Sequence, residues 1–450
     1  MGDVSAFCSS YEKAIGAPLL VETDRFDMAP IKPKVILHLT SLSSGGGGNI
    51  TMEIHKQCLD FGFESYIVVR GKKCIFPDGS IKLIQQHKRF YWNKLRRFVF
   101  RRFARHASID EKYSMYNLCE RFTCYSAKDI LRALPKRPDV IFIHWVSDFA
   151  NAEVIHDLEK LTGAKIVFLL VDHALYSGGC HYQLDCRGYM DGCHNCPATT
   201  SKWVKKGIEK NFAFKKHYIP KEVYVTSRGV ENQRLRQSEI FKDCHLELVV
   251  FPVDENKYCP SLNKEFLRKK WGVPIDGKVL LMGATHLGEG RKGMKLLLEA
   301  LPLVKEERLV VLVAGIMDRP LDLDKSVIAL GLLNESQLIE AYQMADVFVC
   351  PSLADSGPLM VKQACLCGVP VVSFPVGASV ELVENEETGY LAKYGDVEDL
   401  ARGVQEILSL SKEKWNEMSE RCRNRALALF SKQVKGCSIK DLIDRMFRDE

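Results

Sequence analysis

Four cysteines and two histidines lie within the stretch GGCHYQLDCRGYMDGCHNCP, from Gly178 to Pro197. The four thiols have the spacing C-x5-C-x6-C-x2-C and belong to Cys180, Cys186, Cys193 and Cys196. The final C-x-x-C resembles half of a structural zinc site, and a bound metal would supply folding free energy to a loop with few apolar residues. The spacing leaves four alternatives open: disulfides, free thiols, an iron–sulfur cluster, and ligation in which His181 or His194 replaces one cysteine.

The cellular compartment bears on these alternatives. The first residues, MGDVSAFCSSYEKAIG, include an acid at position 3 and lack the apolar core and cleavage site of a signal peptide. No window approaches the roughly 20 apolar residues that a membrane span requires. We therefore expect a cytoplasmic protein in which most of the 16 cysteines stay reduced, so that disulfides are disfavoured.

A second stretch, SSGGGGNIT at 43–51, is rich in glycine and lies between a predicted strand and a predicted helix. Glycines carry no Cβ, so the backbone at Gly46 and Gly47 could approach a phosphate or a sugar closely. The position between strand and helix favours this role, while an ordinary flexible loop is the alternative.

The segment 82–105 contains nine lysines and arginines, six interleaved aromatic residues and no acid. This is the composition of a helix that lies in an anionic lipid interface, so we predict contact with an anionic membrane surface. A solvated basic face is the alternative. Nucleic-acid binding fits the charge of the segment but not the surrounding fold, and a net charge of +6 is mild for this chain length.

Two series of alternating strands and helices must position these residues. The apolar runs 139–145 and 165–171 predict buried strands, and the segment between them predicts a helix that Gly163 caps at its C-terminus. The pattern restarts at 278–285 after a break that contains Pro252 and Pro260. Such alternation indicates the α/β class, with two Rossmann-like domains built on parallel sheets.

Several motifs together resemble those of the retaining GT-B glycosyltransferases of family 4, and most of all the bacterial enzymes that build surface polysaccharides. These motifs are PSLADSGPLMVKQACLCGVPVVSF, GRKGMKLLLEAL, FPVDENKY and SGGCHYQLDC. The resemblance extends from about Lys34 to Ser431. It implies two Rossmann-like domains facing a central cleft, and transfer of a hexose from a nucleotide-sugar donor to a hydroxyl of a glycan or lipid-linked acceptor, with retention of anomeric configuration. It implies no cofactor for catalysis.

The resemblance also implies a donor site in the second domain, in addition to Gly46 and Gly47. Arg291 and Lys292 would neutralise the diphosphate of the leaving group, with a solvated turn as the alternative. The family has an acid at each end of the next motif. Here the first acid is present as Asp355, but Gln363 replaces the second and would bind the ribose hydroxyls without a charge. Backbone amides between them open a helix and would bind phosphate. The predicted donor residues of this motif are Asp355, Ser356, Gly357, Pro358, Leu359, Met360 and Gln363.

The catalytic group is expected after the strand that ends in FLLVDHALYSGGC. Many relatives have a histidine where this chain has Val171, and Asp172 and His173 come next. Asp172 would hydrogen-bond the sugar or stabilise positive charge at the anomeric carbon, with structural capping as the alternative, and His173 is the second candidate. Gly178 and Gly179 are expected to contact the acceptor.

These expectations divide the chain into an N-terminal extension at 1–33, an acceptor domain at 34–255, a nucleotide-sugar domain at 256–415 and a helical tail at 416–450. The acceptor domain contains the cysteine-rich loop 178–197, and the tail is expected to cross back to it. A lipid-linked acceptor would place the protein on the inner face of the cytoplasmic membrane. Two other functions are open. One is a catalytically weakened GT-B protein that acts as a binding partner, and the other is a sugar-nucleotide 2-epimerase.

Overall fold

The computed structural model describes twelve parts of the chain, namely 34–41, 45–70, 81–84, 91–104, 109–115, 118–227, 230–249, 253–317, 327–355, 357–431, 434 and 438–448. The extension at 1–33 and Ser356 lie outside the described residues. Two parallel sheets with helices between their strands organise the described part of the chain. This arrangement confirms the predicted α/β class with two Rossmann-like units.

The first sheet has the strand order β3-β2-β1-β4-β5-β6-β7, and neighbouring strands are parallel. Its strands are β1 Val35–Thr40, β2 Glu64–Arg70, β3 Ile81–Ile84, β4 Val140–Ile143, β5 Lys165–Leu169, β6 Tyr224–Thr226 and β7 His245–Glu247. Every residue of β1 and of β4 is buried, because helices cover both faces of the sheet. The predicted strand at 139–145 is present but shorter at both ends, since β4 spans Val140–Ile143.

The second sheet has the strand order β10-β9-β8-β11-β12-β13 and is also parallel. Its strands are β8 Lys278–His286, β9 Leu309–Ile316, β10 Val327–Gly331, β11 Val347–Cys350, β12 Val371–Ser373 and β13 Gly389–Leu391. The sequence break near Pro252 and Pro260 lies between the last strand of the first sheet and the first strand of the second.

The α-helices of the first half are α1 Gly45–Asp60, α2 Tyr91–Ala104, α3 Ala127–Arg132, α4 Ala152–Thr162, α5 Lys202–Tyr218 and α6 Val230–Gln237. Those of the second half are α7 Lys264–Lys270, α8 Met294–Ala300, α9 Glu335–Met344, α10 Leu359–Leu366, α11 Ser379–Leu382, α12 Val397–Leu408, α13 Lys412–Phe430 and α14 Ile439–Met446. No helix among the described residues is both long enough and apolar enough to cross a membrane.

Helix α4 illustrates how local sequence sets the ends of an element. The Asn151 side chain accepts a hydrogen bond from the amide of Val154 at the N-terminus. At the C-terminus, Gly163 has a φ of 66° and its amide donates to the carbonyl of Glu159. The predicted glycine cap is confirmed.

The tail reaches both sheets. In α13, Cys422, Ala426 and Phe430 are buried in the core of the second sheet. The next helix, α14, buries its apolar face in the core of the first sheet, and its Arg445 forms an ion pair of 2.7 Å with Glu247. The last described helix therefore connects the end of the chain to the first domain.

Candidate active site

Two turns of the second domain lie side by side at the carboxyl ends of the neighbouring strands β8 and β11. A 3-10 turn, Gly290–Lys292, follows β8, and the amide of Leu353 in the loop after β11 donates to the carbonyl of Arg291 at 2.7 Å. Gly293 has a φ of 72°, and a Cβ built there would lie 1.8 Å from the carbonyl oxygen of Pro351. Only a glycine allows this approach of the two backbones. In open α/β sheets, ligands bind at this edge.

The facing turns bring two cations and two carboxylates together. Lys292 Nζ is 2.5 Å from Asp355 Oδ2, while Arg291 is 2.7 Å from Glu289 Oε2 and 3.7 Å from Asp355 Oδ2. Burial acts to raise the pKa of Asp355, but its contacts with Lys292 and Arg291 outweigh burial, so the pKa falls below its ordinary value. Arg291, Lys292 and Asp355, which were predicted from the sequence, thus form one cluster, and its formal charges balance when Glu289 is included.

Asp355 also orders the start of α10. Its Oδ1 accepts a hydrogen bond of 3.1 Å from the amide of Gly357, and Pro358 is the residue that precedes the helix. Leu359 and Met360 form the beginning of the helix, and the end of the Met360 side chain lies against Gly283 of β8. Phosphate binding by the backbone amides of Gly357, Leu359 and Met360 remains a prediction.

Gln363 lies in a buried polar network between two tyrosines. The Tyr342 hydroxyl donates to Gln363 Oε1 at 3.0 Å, and Gln363 Nε2 donates to the Tyr258 hydroxyl at 2.9 Å. An amide has two donors and an oxygen with two lone pairs, so each end retains capacity for one further hydrogen bond. The predicted contact with ribose hydroxyls would use this remaining capacity.

In the first domain, the loop after β5 holds Asp172 between two donors. Its Oδ2 is 2.6 Å from Nδ1 of His181, and its Oδ1 accepts from the amide of Ala174 at 2.9 Å. Burial acts to raise the pKa of Asp172, but His181 outweighs burial and the pKa falls below its ordinary value. The sequence indicated Asp172 but not this pair, because His181 lies nine residues further along and nothing local marks it as a partner.

His173, the other predicted catalytic residue, forms a separate network. Its Nε2 is 3.3 Å from Glu231 Oε2, which also accepts a hydrogen bond of 3.0 Å from the Tyr176 hydroxyl. Burial acts to raise the pKa of Glu231, but His173 and Arg234 lower it to about 2. Asp172 and His173 are adjacent in sequence but bind different partners.

A direct contact joins the two domains at the site. The Arg291 guanidinium lies 4.3 Å from the ring centroid of Tyr182, which belongs to the cysteine-rich loop of the first domain. The turn Glu111–Tyr113 of the first domain also contacts the turn Gly290–Lys292. The carboxyl edges of both sheets therefore meet at the candidate site. Sequence reasoning missed Tyr182.

The glycines at the end of β1 differ from the prediction. The expected loop at 43–51 is mostly helical, because α1 begins at Gly45 and includes Gly46 and Gly47 in its first turn. The carbonyl of Gly47 accepts a hydrogen bond of 2.9 Å from Thr51 Oγ1. Any contact of Gly46 and Gly47 with a ligand would be made from a helix N-terminus rather than from an extended glycine loop.

The predicted acceptor residues Gly178 and Gly179 are buried. A Cβ on Gly178 would lie 2.4 Å from Ile208 Cγ2, so this glycine allows the loop to lie directly on α5. The amide of Gly179 donates to Ser177 Oγ at 3.2 Å. Their contact with an acceptor stays a prediction.

The four cysteines of the loop line one cavity of about 20 Å³. The amide of Gly178 donates to Cys193 Sγ at 3.2 Å, and the amide of Gly188 donates to Cys186 Sγ at 3.4 Å. Across the described residues, no group of three or more His, Cys, Asp or Glu side chains has an arrangement that could hold a metal ion. The zinc site stays a prediction.

The fold and the site define a two-domain protein in which a basic turn of the second domain meets a polar loop of the first. The family model of glycosyl transferases group 1 matches residues 263–427. The UDP-Gal:alpha-D-GlcNAc-diphosphoundecaprenol alpha-1,3-galactosyltransferase of Escherichia coli is 26% identical over 230 residues, which cover 47% of this chain and 57% of that protein. The matches span less than two thirds of the length of such relatives, between 29% and 57%.

Solved structures show the same fold at low sequence identity. Sucrose-phosphate synthase from Thermosynechococcus elongatus superposes with a TM-score of 0.65 at 17% identity, and the superposition covers 93% of this chain and 100% of the synthase chain. Anabaena HepE in complex with UDP and glucose gives a TM-score of 0.60 at 14% identity, covering 88% and 96% of the two chains. The chain therefore has the GT-B fold and carries a glycosyl transferases group 1 domain. The family resemblance and the fold predicted from the sequence are confirmed.

Proposed function

We propose that this chain is a retaining glycosyltransferase that moves a hexose from a nucleotide-sugar donor to a hydroxyl of a glycan or lipid-linked acceptor. The cluster of Arg291, Lys292 and Asp355 in the group 1 domain is the observation that carries the proposal, because two cations at the carboxyl edge of the sheet suit a leaving diphosphate. The Escherichia coli relative is named for transfer from UDP-galactose to a diphosphoundecaprenol-linked sugar. We therefore expect this chain to use a nucleoside-diphosphate sugar as donor and a sugar linked to a lipid diphosphate as acceptor.

The residues of the cluster suggest how the chain would favour the reaction. As the bond from the anomeric carbon to the diphosphate breaks, negative charge develops on the leaving oxygen, and Arg291 and Lys292 would stabilise it. Both cations now pair with carboxylates, Arg291 with Glu289 and Lys292 with Asp355. A bound diphosphate would replace these carboxylates as the partner of the two cations. The acceptor oxygen would form its bond to the anomeric carbon on the face that the phosphate leaves, and the leaving phosphate would accept the acceptor's proton. Attack on this same face gives retention.

Asp172 would contribute from the first domain. Each of its carboxylate oxygens accepts one hydrogen bond and has a further lone pair. With its pKa lowered, it stays ionised and can stabilise positive charge at the anomeric carbon. Positioning and electrostatics then account for the catalysis, without a metal ion at the reacting atoms.

The test is incubation with a panel of UDP-, GDP- and TDP-sugars and a prenyl-diphosphate-linked saccharide. Mass spectrometry should detect a product larger by one hexose, and the NMR coupling of the new anomeric proton should match that of the donor. An altered sugar formed without an acceptor would indicate an epimerase, and binding without turnover would indicate a binding partner. A product of opposite anomeric configuration would contradict retention.

We also propose that helix α2 binds an anionic membrane surface and so brings the protein to a lipid-linked acceptor on the inner face of the cytoplasmic membrane. The outer face of α2 exposes large aromatic side chains to solvent, with exposed fractions of 67% for Tyr91, 69% for Trp92 and 68% for Phe98. The inner face is fixed to the first domain: Arg97 forms an ion pair with Asp148. Exposed Lys94, Arg96 and Arg102 give α2 the charge to attract anionic headgroups.

The predicted interface helix at 82–105 is shorter than the sequence suggested. Lys82 lies in strand β3, where it pairs with Val68 of β2, and 85–90 lie outside the described residues. The membrane contact is therefore assigned to Tyr91–Ala104.

Flotation with phosphatidylglycerol vesicles tests the membrane proposal. Trp92→Ser combined with Phe98→Ser should reduce recovery about tenfold, since burial of two aromatic side chains in the interface is lost. Phe266→Ser is the matched control, because Phe266 is 61% exposed on α7 of the other domain. Equal recovery of both variants and the unchanged protein would rule out α2 as the docking element.

We further propose that the cysteine-rich loop binds one structural zinc ion that shapes the acceptor wall and takes no part in the reaction. All four thiols border one small cavity, and two of them already accept backbone hydrogen bonds, which would stabilise thiolate ligands. Binding would require a change of side-chain rotamer that turns the thiols toward a common point.

Elemental analysis of protein purified without chelator should find about one zinc ion per chain. Cys193→Ser combined with Cys196→Ser should lose the metal, whereas Cys259→Ser, a half-buried thiol of the second domain, should retain it. A metal-free preparation in which all four loop thiols react with a thiol reagent would eliminate this proposal. Iron with visible absorbance would indicate a cluster instead of zinc.

A further inference from the structure

The ring of Tyr182 in the first domain lies directly against Arg291, the predicted diphosphate ligand of the second domain. The guanidinium is 4.3 Å from the ring centroid, within the range of a cation–π contact. Tyr182 is 9% exposed, so water screens this contact little. The contact crosses from one domain to the other and exists only in a domain arrangement that brings the two carboxyl edges together.

Within the described part of the chain, the hydrogen bonds and ion pairs of the Arg291 side chain are made to its own domain. The guanidinium donates to the carbonyl of Ala354 at 3.2 Å and pairs with Glu289 and Asp355. These partners bind the N–H groups of the side chain, whereas the guanidinium carbon lies over the tyrosine ring. An arginine held in this way has few rotamers left, so its remaining donors keep one direction.

The segment that carries Tyr182 is itself fixed to the first domain. The amide of His173 donates to the carbonyl of His181 at 2.9 Å, and the His181 amide donates to the carbonyl of Ser114 at 3.2 Å. Behind the segment, the fully buried Lys215 donates to the carbonyls of Ala174 and Ser177 and pairs with Glu120 at 2.7 Å. The ring of Tyr182 is therefore a rigid surface rather than a mobile side chain on an open loop.

We propose that Tyr182 is a positioning residue that seats Arg291 across the domain interface and thereby couples the arrangement of the two domains to binding of the donor diphosphate. This inference rests on the proposed function for its consequence, since Arg291 must bind a nucleoside diphosphate. The contact itself can be tested without any ligand.

The first test is a double-mutant cycle on stability that uses Tyr182→Leu and Arg291→Met. Leucine retains apolar volume but has no ring face, and methionine retains apolar length but carries no cation. If the contact exists in solution, the unfolding equilibrium constants should show coupling of about fivefold or more between the two changes. Additive effects within error would overturn the proposal, whatever the protein binds.

The second test measures UDP binding by titration calorimetry. Tyr182→Leu should weaken binding about tenfold, while Tyr182→Phe, which retains the ring, should bind UDP like the unchanged protein. Tyr189→Leu is the matched control, because Tyr189 lies in the same loop, is 6% exposed and contacts Tyr176 instead of Arg291. With donor in place of UDP, the effect of Tyr182→Leu should fall on KM more than on kcat.

The outcomes separate the two proposals. If the unchanged protein binds no UDP, GDP or TDP, the proposed function fails, and the stability cycle alone decides whether Tyr182 positions Arg291. If the unchanged protein binds UDP and Tyr182→Leu binds equally well, the proposed function stands and the positioning role is refuted. An equal loss in Tyr189→Leu would also refute it, because the effect would then come from the loop as a whole.

Discussion

Gly293→Ala tests whether the basic turn lies as close to the loop after β11 as the structure shows. An alanine at a φ of 72° enters the left-handed region, and its Cβ would be 1.8 Å from the carbonyl oxygen and 2.6 Å from the carbonyl carbon of Pro351. The left-handed backbone costs about 1–2 kcal/mol, and overpacking against a backbone costs a further 1–3 kcal/mol. We expect the free energy of unfolding to fall by roughly 2–5 kcal/mol.

The matched control is Gly290→Ala in the same turn, where an added Cβ meets nothing within 4 Å. Urea denaturation followed by circular dichroism gives the two free energies, and the thermal shift produced by UDP reports whether the turn still binds. Gly293→Ala should lose stability and most of the UDP shift, whereas Gly290→Ala should change neither. Free energies of unfolding within about 0.5 kcal/mol of each other would refute the close approach of the two backbones.

Three further outcomes are expected. Lys292→Ala should lower transfer roughly a hundredfold through loss of a preorganised charge, and adding Asp355→Asn should restore stability but not transfer; unchanged transfer would remove Lys292 from the site. Gln363→Glu should bind UDP about tenfold more tightly in calorimetry, because a carboxylate makes charge-assisted bonds to the ribose diol; equal or weaker binding would contradict that contact. Burial lowers the pKa of His144, which directly follows β4, to about 3. Below pH 6.5 the unfolded chain therefore binds a proton that the folded chain does not, and the free energy of unfolding decreases as the pH is lowered. His144 alone should account for a loss of roughly 1.6 kcal/mol from pH 6.5 to pH 5 in urea denaturation, and His144→Gln should remove that share. Burial also lowers the pKa of the neighbouring His38, so part of the pH dependence should persist in this variant.

Local sequence determined the elements and their order. Short runs of Val, Ile and Leu are buried on both faces only in a parallel sheet covered by helices, so the runs near Val140–Ile143 and Lys165–Leu169 could be predicted as strands. The same holds for the cap at Gly163, because a left-handed residue at a helix end favours glycine. Arg291, Lys292 and Asp355 could be predicted as donor ligands from the family resemblance and from their places in loops after strands, but the sequence did not show that those strands are neighbours.

Tertiary structure alone decided which side chains meet. Asp172 binds His181, Gln363 lies between Tyr258 and Tyr342, and Tyr182 lies against Arg291 across more than a hundred residues of chain. The spacing of residues within one element determines which face they share, but contacts between elements depend on how loops and domains pack in three dimensions. Sequence patterns therefore predicted a donor site at this edge of the sheet, and only the fold showed that Tyr182 of the first domain lies against Arg291 there.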